Sequence, residues 1–336
     1  MKRILPLFLA LALLLTGCTA VSTTESTSQT VSQVDSPSSA PESASSQLES
    51  AGEVSITDSN GSQITLDTSA PRVVATYGSF AEAWLLAGGQ LCGVTQDALE
   101  QRDLGLPEDI AVVGTVKEPN AEEIIALEPD LVLLASDITA QAEIRDVLEN
   151  AGLACAFFQV DTFADYAFMM EQLCAITGRE DLYEENVTQV GQQIEEAQAN
   201  AALASTRPNV LLIRAFSTGI KAKTDDELAG AILKDLGAHN IADDHPSMLE
   251  DLSLEEVIAA DPDYIFVTTM GDEQKALDYL NGLIQQNPAW SELSAVKEDR
   301  YIVLPKDLFH YKPNNRWGES YQYLGEILYP ELFHEE

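Results

Sequence analysis

The fifteen residues Asn120–Leu134, NAEEIIALEPDLVLL, return at Ser253–Val267 as SLEEVIAADPDYIFV. Six paired positions are identical: Glu122/Glu255, Glu123/Glu256, Ile125/Ile258, Ala126/Ala259, Pro129/Pro262 and Asp130/Asp263. Most others exchange like for like, as in Ile124/Val257 and Val132/Ile265. In each copy a polar residue opens a short helix, a proline stops it, and an apolar run of strand length follows. A run apolar on both faces suits a parallel strand covered on each side by helices. Two such units 133 residues apart predict two α/β lobes of similar build.

Helix capping divides the acidic pair in each copy. Ser253 and Glu256 have capping-box spacing, with the glutamate reaching back to the cap; Asn120 and Glu123 make a weaker version. Glu122 and Glu255, at the second helical position, are left without a capping task. One reading has them complement the positive end of a helix dipole; the other makes them matched acidic knobs, one per lobe, offered to a partner.

At the N-terminus Lys2 and Arg3 precede the apolar run Ile4–Leu15, which ends in Leu15-Thr16-Gly17-Cys18. A charged start, a short apolar stretch and small residues before the cut predict a secretory signal over residues 1–17, too short to span a membrane. The ending resembles a bacterial lipobox. That resemblance implies cleavage before Cys18, lipid attachment to its sulfur and anchoring on the outer face of the cell membrane. Residues 18–52 are rich in Ser and Thr and contain no Lys or Arg, which predicts a disordered tether.

Eighteen basic against 55 acidic residues give a net charge of −37, which argues against nucleic acid and against electrostatic docking to a membrane surface. Besides Cys18 there are Cys92, Cys155 and Cys174, without metal-ligand spacing. They read as buried free thiols, or as one Cys155–Cys174 bridge with a thiol left over.

Along the rest of the chain, Glu53–Asp67 reads as a hairpin about Ser59-Asn60-Gly61. Strands at 72–76, 91–94, 111–113, 131–135 and 154–160 alternate with helices, the pattern of a parallel open sheet whose ligands bind beyond the carboxyl ends of its strands. From Arg179 to about Ser205 apolar residues keep a 3–4 spacing over seven turns, predicting a stiff connector helix over 179–206 between lobes 53–178 and 207–336. A second α/β series follows, with strands at 210–214 and 301–304.

The segments PRVVATYGSFAEAWLLAGG and VGTVKEPNAEEIIALEPDLVLL, then Leu236-Gly237-Ala238-His239-Asn240-Ile241 and SLEEVIAADPDYIFV, in this order resemble the helical-backbone class (class III) of ABC-transporter substrate-binding proteins. These are the receptors for ferric siderophores, haem and cobalamin. The resemblance spans about residues 53–333. It implies an α/β fold of two Rossmann-like lobes with mostly parallel sheets joined by one long rigid connector helix. It implies a monomeric receptor, not an enzyme, with no intrinsic cofactor, handing an Fe(III) chelate to a permease dimer and its ATPase subunits. An acidic residue on each lobe docks the permease in that family, and the matching positions are Glu122 and Glu255.

The resemblance places the ligand between the lobes, on loops after the strands. Qualifying loops run through Tyr77–Phe80, Arg214–Thr218, Lys221–Lys223, Asp244-His245 and Phe309–Trp317. The last combines aromatic surface, the forked cation of Arg316 and two potential iron ligands, His310 and Tyr311. Arg214, Arg316 and Lys223 could match an anionic ferric siderophore, although Arg214 could equally pair with a nearby acid and Lys223 could be solvated beside a turn. For haem, Tyr77, His245, His310 or Tyr311 could be the axial ligand. No Walker loop, Gly-x-Gly-x-x-Gly or Gly-x-Ser-x-Gly is present, so a lipid-anchored hydrolase is a weaker alternative. A receptor for bare metal would need a His-rich loop that the sequence lacks.

Overall fold

The computed structural model of the chain describes residues 52–250 and 252–333. The signal segment, most of the tether and Cys18 lie outside the described residues.

A hairpin of β1 (Val54–Thr57) and β2 (Gln63–Leu66) opens the fold. Its turn is organised by buried Asp58, whose carboxylate accepts from the Asn60 and Ser62 N–H groups at 3.0 and 2.8 Å. Next come β3 (Val73–Ala75), β4 (Leu91–Val94), β5 (Ala111–Val112), a small hairpin of β6 (Gly114–Thr115) and β7 (Glu118–Pro119), then β8 (Leu131–Ala135) and β9 (Ala154–Phe158). Apart from that hairpin, β3 to β9 form a fully parallel sheet ordered β5-β4-β3-β8-β9. The chain therefore winds outward from β3 in both directions, and the order reverses between β3 and β8.

The second sheet contains β10 (Asn209–Phe216), β11 (Gly219–Lys223), β12 (His239–Asn240), β13 (Tyr264–Thr269) and β14 (Tyr301–Val303), in the order β11-β10-β13-β14 with β12 also on β10. Here β11 is antiparallel to β10, with Arg214 opposite Lys221. The stretch around Lys221 and Lys223 is thus an edge strand rather than the predicted turn; the turn is Ser217-Thr218, just before it.

The duplicated stretch forms the same unit twice: helix Ala121–Ala126 then β8, and helix Leu254–Ala260 then β13. The likeness extends to the backbone. Glu128 and Asp261, each just before the proline, take positive φ (47° and 42°), the left-handed step that ends a helix. The repeated aspartates have the same task. Asp130 Oδ2 accepts from the Arg72 N–H at 2.7 Å, and Asp263 Oδ2 from the Asn209 N–H at 2.8 Å. Each pins the start of the neighbouring parallel strand. The capping expectation holds by half. Ser253 Oγ accepts from the Glu256 N–H at 3.3 Å, but the Glu256 carboxylate turns away to accept from Ser247 Oγ. A full reciprocal box forms instead at Thr162 and Asp165.

The connector runs helical from Glu180 to Ala202, with a π-helical turn at Glu184–Thr188 in place of uniform α-helix. Asn186 explains the turn. It is buried, and its amide donates to the Leu86 and Leu182 carbonyls at 3.2 and 3.0 Å, so a polar side chain competes inside the helical ladder. Val187, Val190, Ile194, Ala197 and Ala201 face a core that also holds Val73, Leu131, Val210, Leu212 and Phe266. One apolar cluster is therefore continuous through one face of both sheets. The opposite faces have their own clusters, around Val74 and Val132 in the first sheet and Leu211 and Ile265 in the second. Both sheets lie in one compact unit, Ser50–Glu336. Cys92, Cys155 and Cys174 are free thiols, so the Cys155–Cys174 bridge does not form.

Candidate functional site

The carboxyl ends of both sheets open on one cleft of about 880 Å³. From the first sheet it is lined by Tyr77 after β3 and Asp137-Ile138-Thr139 after β8, the two strands flanking the reversal. From the second come Phe216-Ser217-Thr218 after β10 and Met270-Gly271 after β13, again the pair at the centre of the sheet. Loops at such reversals diverge to opposite faces, and the gap between them makes the crevice.

The floor under Tyr77 is a closed polar network. Gln141, fully buried, accepts from Thr76 Oγ1 at 2.6 Å and from the Ala135 N–H at 2.7 Å. Its amide nitrogen donates to the carbonyls of Thr76 and Val116 at 2.8 and 3.0 Å. With every group satisfied the ends of β3 and β8 are held rigidly. Asp97 stands beside Tyr77 and accepts the Gly78 N–H through Oδ2 at 2.6 Å, while its buried Oδ1 has no partner. Burial first and the Asp97 charge second push the Tyr77 hydroxyl up to about 12, so it stays protonated and offers a proton to a ligand.

The cleft's other wall is the segment Phe309–Lys312. His310 and Tyr311 stack obliquely, ring centroids 5.2 Å apart, and Lys306 Nζ lies 5.8 Å from the Tyr311 ring centre. Burial, then the charges of Arg214, Lys306 and Lys312, lower the His310 pKa to about 4. The imidazole is therefore neutral near physiological pH. Since its folded pKa lies below the usual value, the unfolded chain takes up the proton first. Stability should fall as pH drops from about 6.5 towards 4, by about 2 kcal/mol for this group. His310→Asn removes that titration. Its melting temperature should fall several degrees less than that of the parent between about pH 7 and pH 4.5; equal falls would contradict the assignment.

Three of the predicted binding residues lie away from the cleft lining. Arg316 grips Glu319 with two bonds of 2.6 and 2.8 Å and Asp307 with a third of 2.8 Å, at the start of helix Trp317–Leu328. Lys223 pairs with Asp226 and Glu227 at 2.9 and 3.1 Å. His245 ends the short helix Ile241–Asp244, outside the lining. Tyr77, Arg214, His310 and Tyr311 do line the cleft. Arg214, however, is ion-paired with Glu227, a nearly buried carboxylate whose pKa burial raises.

The sequence reading passed over a clasp that fixes the Tyr311–Asn314 segment. Arg102, from the loop after helix Asp97–Glu100, pairs with Glu82 and donates to the Tyr311 and Lys312 carbonyls, both at 3.0 Å. Asn314, fully buried with φ of 52°, donates to the Ser79 carbonyl at 2.9 Å and to Glu82. Lys312 Nζ meets Asp161, just beyond β9, at 2.9 Å. The loop carrying Arg102 has no periodicity and the carbonyls it holds lie more than two hundred residues away, so no local signal marks it. Asp161 follows a parallel strand, and that rule could have found it.

The sequence pattern of the family described as periplasmic binding protein matches residues 73–308, from the start of β3 through β14 and most of the short helix after it. The chain belongs to that family. Its members are substrate-binding proteins rather than enzymes, and they work outside the cytoplasm. Fe(3+)-citrate-binding protein YfmC of Bacillus subtilis is 26% identical over 273 residues, 78% of this chain and 82% of that protein. High-affinity heme uptake system protein IsdE of Staphylococcus aureus is 22% identical over 227 residues, 67% of this chain and 76% of that one. The solved structure of petrobactin-binding protein YclQ from Bacillus subtilis shares the fold, with a TM-score of 0.66 at 18% identity over 84% of this chain and 100% of that one. For this periplasmic binding protein, as for the relatives, the two-sheet α/β fold is the one its sequence implied. Among the described residues no helix is long and apolar enough to cross a membrane, and no cluster of three or more His, Cys, Asp or Glu side chains is placed to hold a metal ion.

Proposed function

We propose that this protein is the receptor of an ABC importer, capturing a ferric chelate between its two sheets and delivering it to a permease dimer. The observation that carries this reading is the cleft, which lies at the order reversals of both sheets at once and is walled by Tyr77, Phe216, Phe309 and Tyr311. Its volume falls within the usual range for small-molecule sites, roughly 300–1,000 Å³. The names of relatives, an Fe(3+)-citrate-binding protein for one and a petrobactin-binding protein for another, support the iron-chelate class. A ferric chelate brings its own ligands to the iron, so the cleft has only to recognise the surface of the chelate. Residues 53–178 and 207–336 act as the lobes and 179–206 as the connector. Lipid attachment at Cys18 and the tether over 18–52 hold the body at the outer face of the membrane.

Glu122 and Glu255 are the docking contacts in this reading. Both are exposed, at equivalent positions one residue inside their helices. A helix that precedes a parallel strand runs opposite to it, so its N-terminus lies at the strand's carboxyl end. The two carboxylates thus stand on the cleft-bearing side, one beside each sheet.

Haem is a second reading, favoured by one observation: a neutral imidazole, His310, in an aromatic cleft beside Tyr77 and Tyr311. Trp84, Trp290 and Trp317 are all buried away from the lining, so calorimetry is a better probe than tryptophan quenching. Titration with ferric hydroxamate, ferric catecholate, ferric citrate and haemin should give one-to-one binding to at least one of them. Heat of binding from none would overturn the receptor reading.

A further inference from the structure

Charge inside the cleft points to the kind of chelate it takes. Four basic residues line it, Lys117, Arg214, Lys306 and Lys312, against five acidic ones, Asp97, Asp137, Asp161, Asp226 and Glu227. The cations are largely engaged. Arg214 is held by Glu227, whose side chain is only 5% exposed, and Lys312 by Asp161 at 2.9 Å. Lys306 Nζ donates to the Gly271 carbonyl at 2.6 Å. That leaves Lys117, exposed at the rim, as the lining cation outside these contacts among the described residues. A multiply charged anion would enter a site already balanced towards negative charge, within a chain of net charge −37. Beyond Lys117 and Lys306 it would have to break the Arg214–Glu227 or Lys312–Asp161 pair to gain a cation, and the first of these leaves a buried carboxylate without its arginine.

The unsatisfied groups suit a dipolar neutral ligand. Asp97 is more than nine-tenths buried, lines the cleft and keeps Oδ1 without a hydrogen-bond donor; Arg214 keeps Nε–H without an acceptor. One wants an N–H or O–H, the other a carbonyl oxygen; a neutral amide carries both, as in the amide or peptide backbone that strings together the iron-bound hydroxamates of such a chelate. Around them Phe216, Leu228, Met270, Phe309 and Tyr311 supply apolar surface for a carbon backbone.

We propose that the cleft selects ferric chelates of little or no net charge, of the trihydroxamate class, over polyanionic ones such as ferric tricatecholates or ferric citrate. The inference rests on the reading of the chain as an iron-chelate receptor. The protein need not supply three compensating positive charges, as a trianionic chelate would ask, because three hydroxamate anions already neutralise the ferric ion.

Calorimetry of the full-length protein against ferrichrome (neutral), ferric enterobactin (trianionic) and ferric citrate tests it. Ferrichrome should bind at least about tenfold more tightly than either anion, a difference that electrostatic complementarity commonly supplies. Asp161→Asn releases Lys312, and Glu227→Gln releases Arg214 and Lys223. Each should raise the affinity for ferric enterobactin relative to ferrichrome by about tenfold, and the gain should shrink with added salt. Asp161 is half exposed, so its variant reports even if the one at Glu227 fails to fold. An anion bound as tightly as ferrichrome overturns the inference and leaves the receptor reading standing. So does an unchanged ratio in the Asp161 variant. Failure of all three probes, with haemin also unbound, overturns the receptor reading itself.

Discussion

Replacing both Glu122 and Glu255 by alanine is expected to cut iron uptake, or ligand-stimulated ATP hydrolysis by the reconstituted importer, at least tenfold. Stability should change little. Both side chains are exposed, the caps Asn120 and Ser253 stay in place, and loss of a favourable helix-end charge costs about 0.3–1 kcal/mol each. Chelate affinity should stay within a factor of about two, since neither carboxylate lines the cleft. Single replacements should do less than the double, because one of the two docking contacts remains. Docking through exposed charges should also weaken as ionic strength rises. Normal transport by the double variant would return both glutamates to the role of helix-dipole partners.

Arg102→Ala is expected to act the opposite way, on binding and stability together. The Arg102 side chain is 11% exposed and its partner Glu82 24%. Removing one member of such a pair leaves a largely buried carboxylate uncompensated, a loss of about 3 kcal/mol. Two backbone carbonyls, of Tyr311 and Lys312, lose their donor as well. The segment that presents His310 and Tyr311 to the cleft then loses the anchor nearest those two residues, keeping only those at Lys312 and Asn314, and chelate affinity should fall by about tenfold. Arg102→Lys keeps the charge but not the fork that reaches both the carboxylate and the carbonyls, and should recover only part of the loss. Thermal melting alongside calorimetry measures both effects. A variant that melts like the parent and binds like it would remove the clasp from the account.

The order of elements was readable because its signals are local. The proline after each short helix and the doubly apolar runs after it placed β8 and β13, and the identical aspartates turned out to serve the same strand-pinning bond. The 3–4 spacing placed the connector, while the π turn depends on Asn186 reaching Leu86, a hundred residues earlier. The site was read less well, for a physical reason. A charged residue at the end of a strand looks available until its partner is known. Arg214 was placed correctly at the crest of β10 but is spoken for by Glu227; Arg316 and Lys223 found carboxylates within a few residues and never reach the lining. In a chain this acidic an isolated cation is rarely left unclaimed. Aromatic and neutral groups carry no such competition, and Tyr77, His310 and Tyr311, which the family resemblance had pointed to, line the cleft.

The central claim is that a ferric chelate sits between the two sheets. A crystal structure of the protein grown with the tightest-binding ferric chelate, with anomalous scattering used to locate the iron, tests it most directly. The account predicts a single iron position within the cleft, its chelate touching Tyr77, His310 and Tyr311 while Arg102 still holds the Tyr311 and Lys312 carbonyls. Iron bound elsewhere, for instance in the groove between the connector and helix Trp317–Leu328 lined by Gln193 and Gln322, would contradict it.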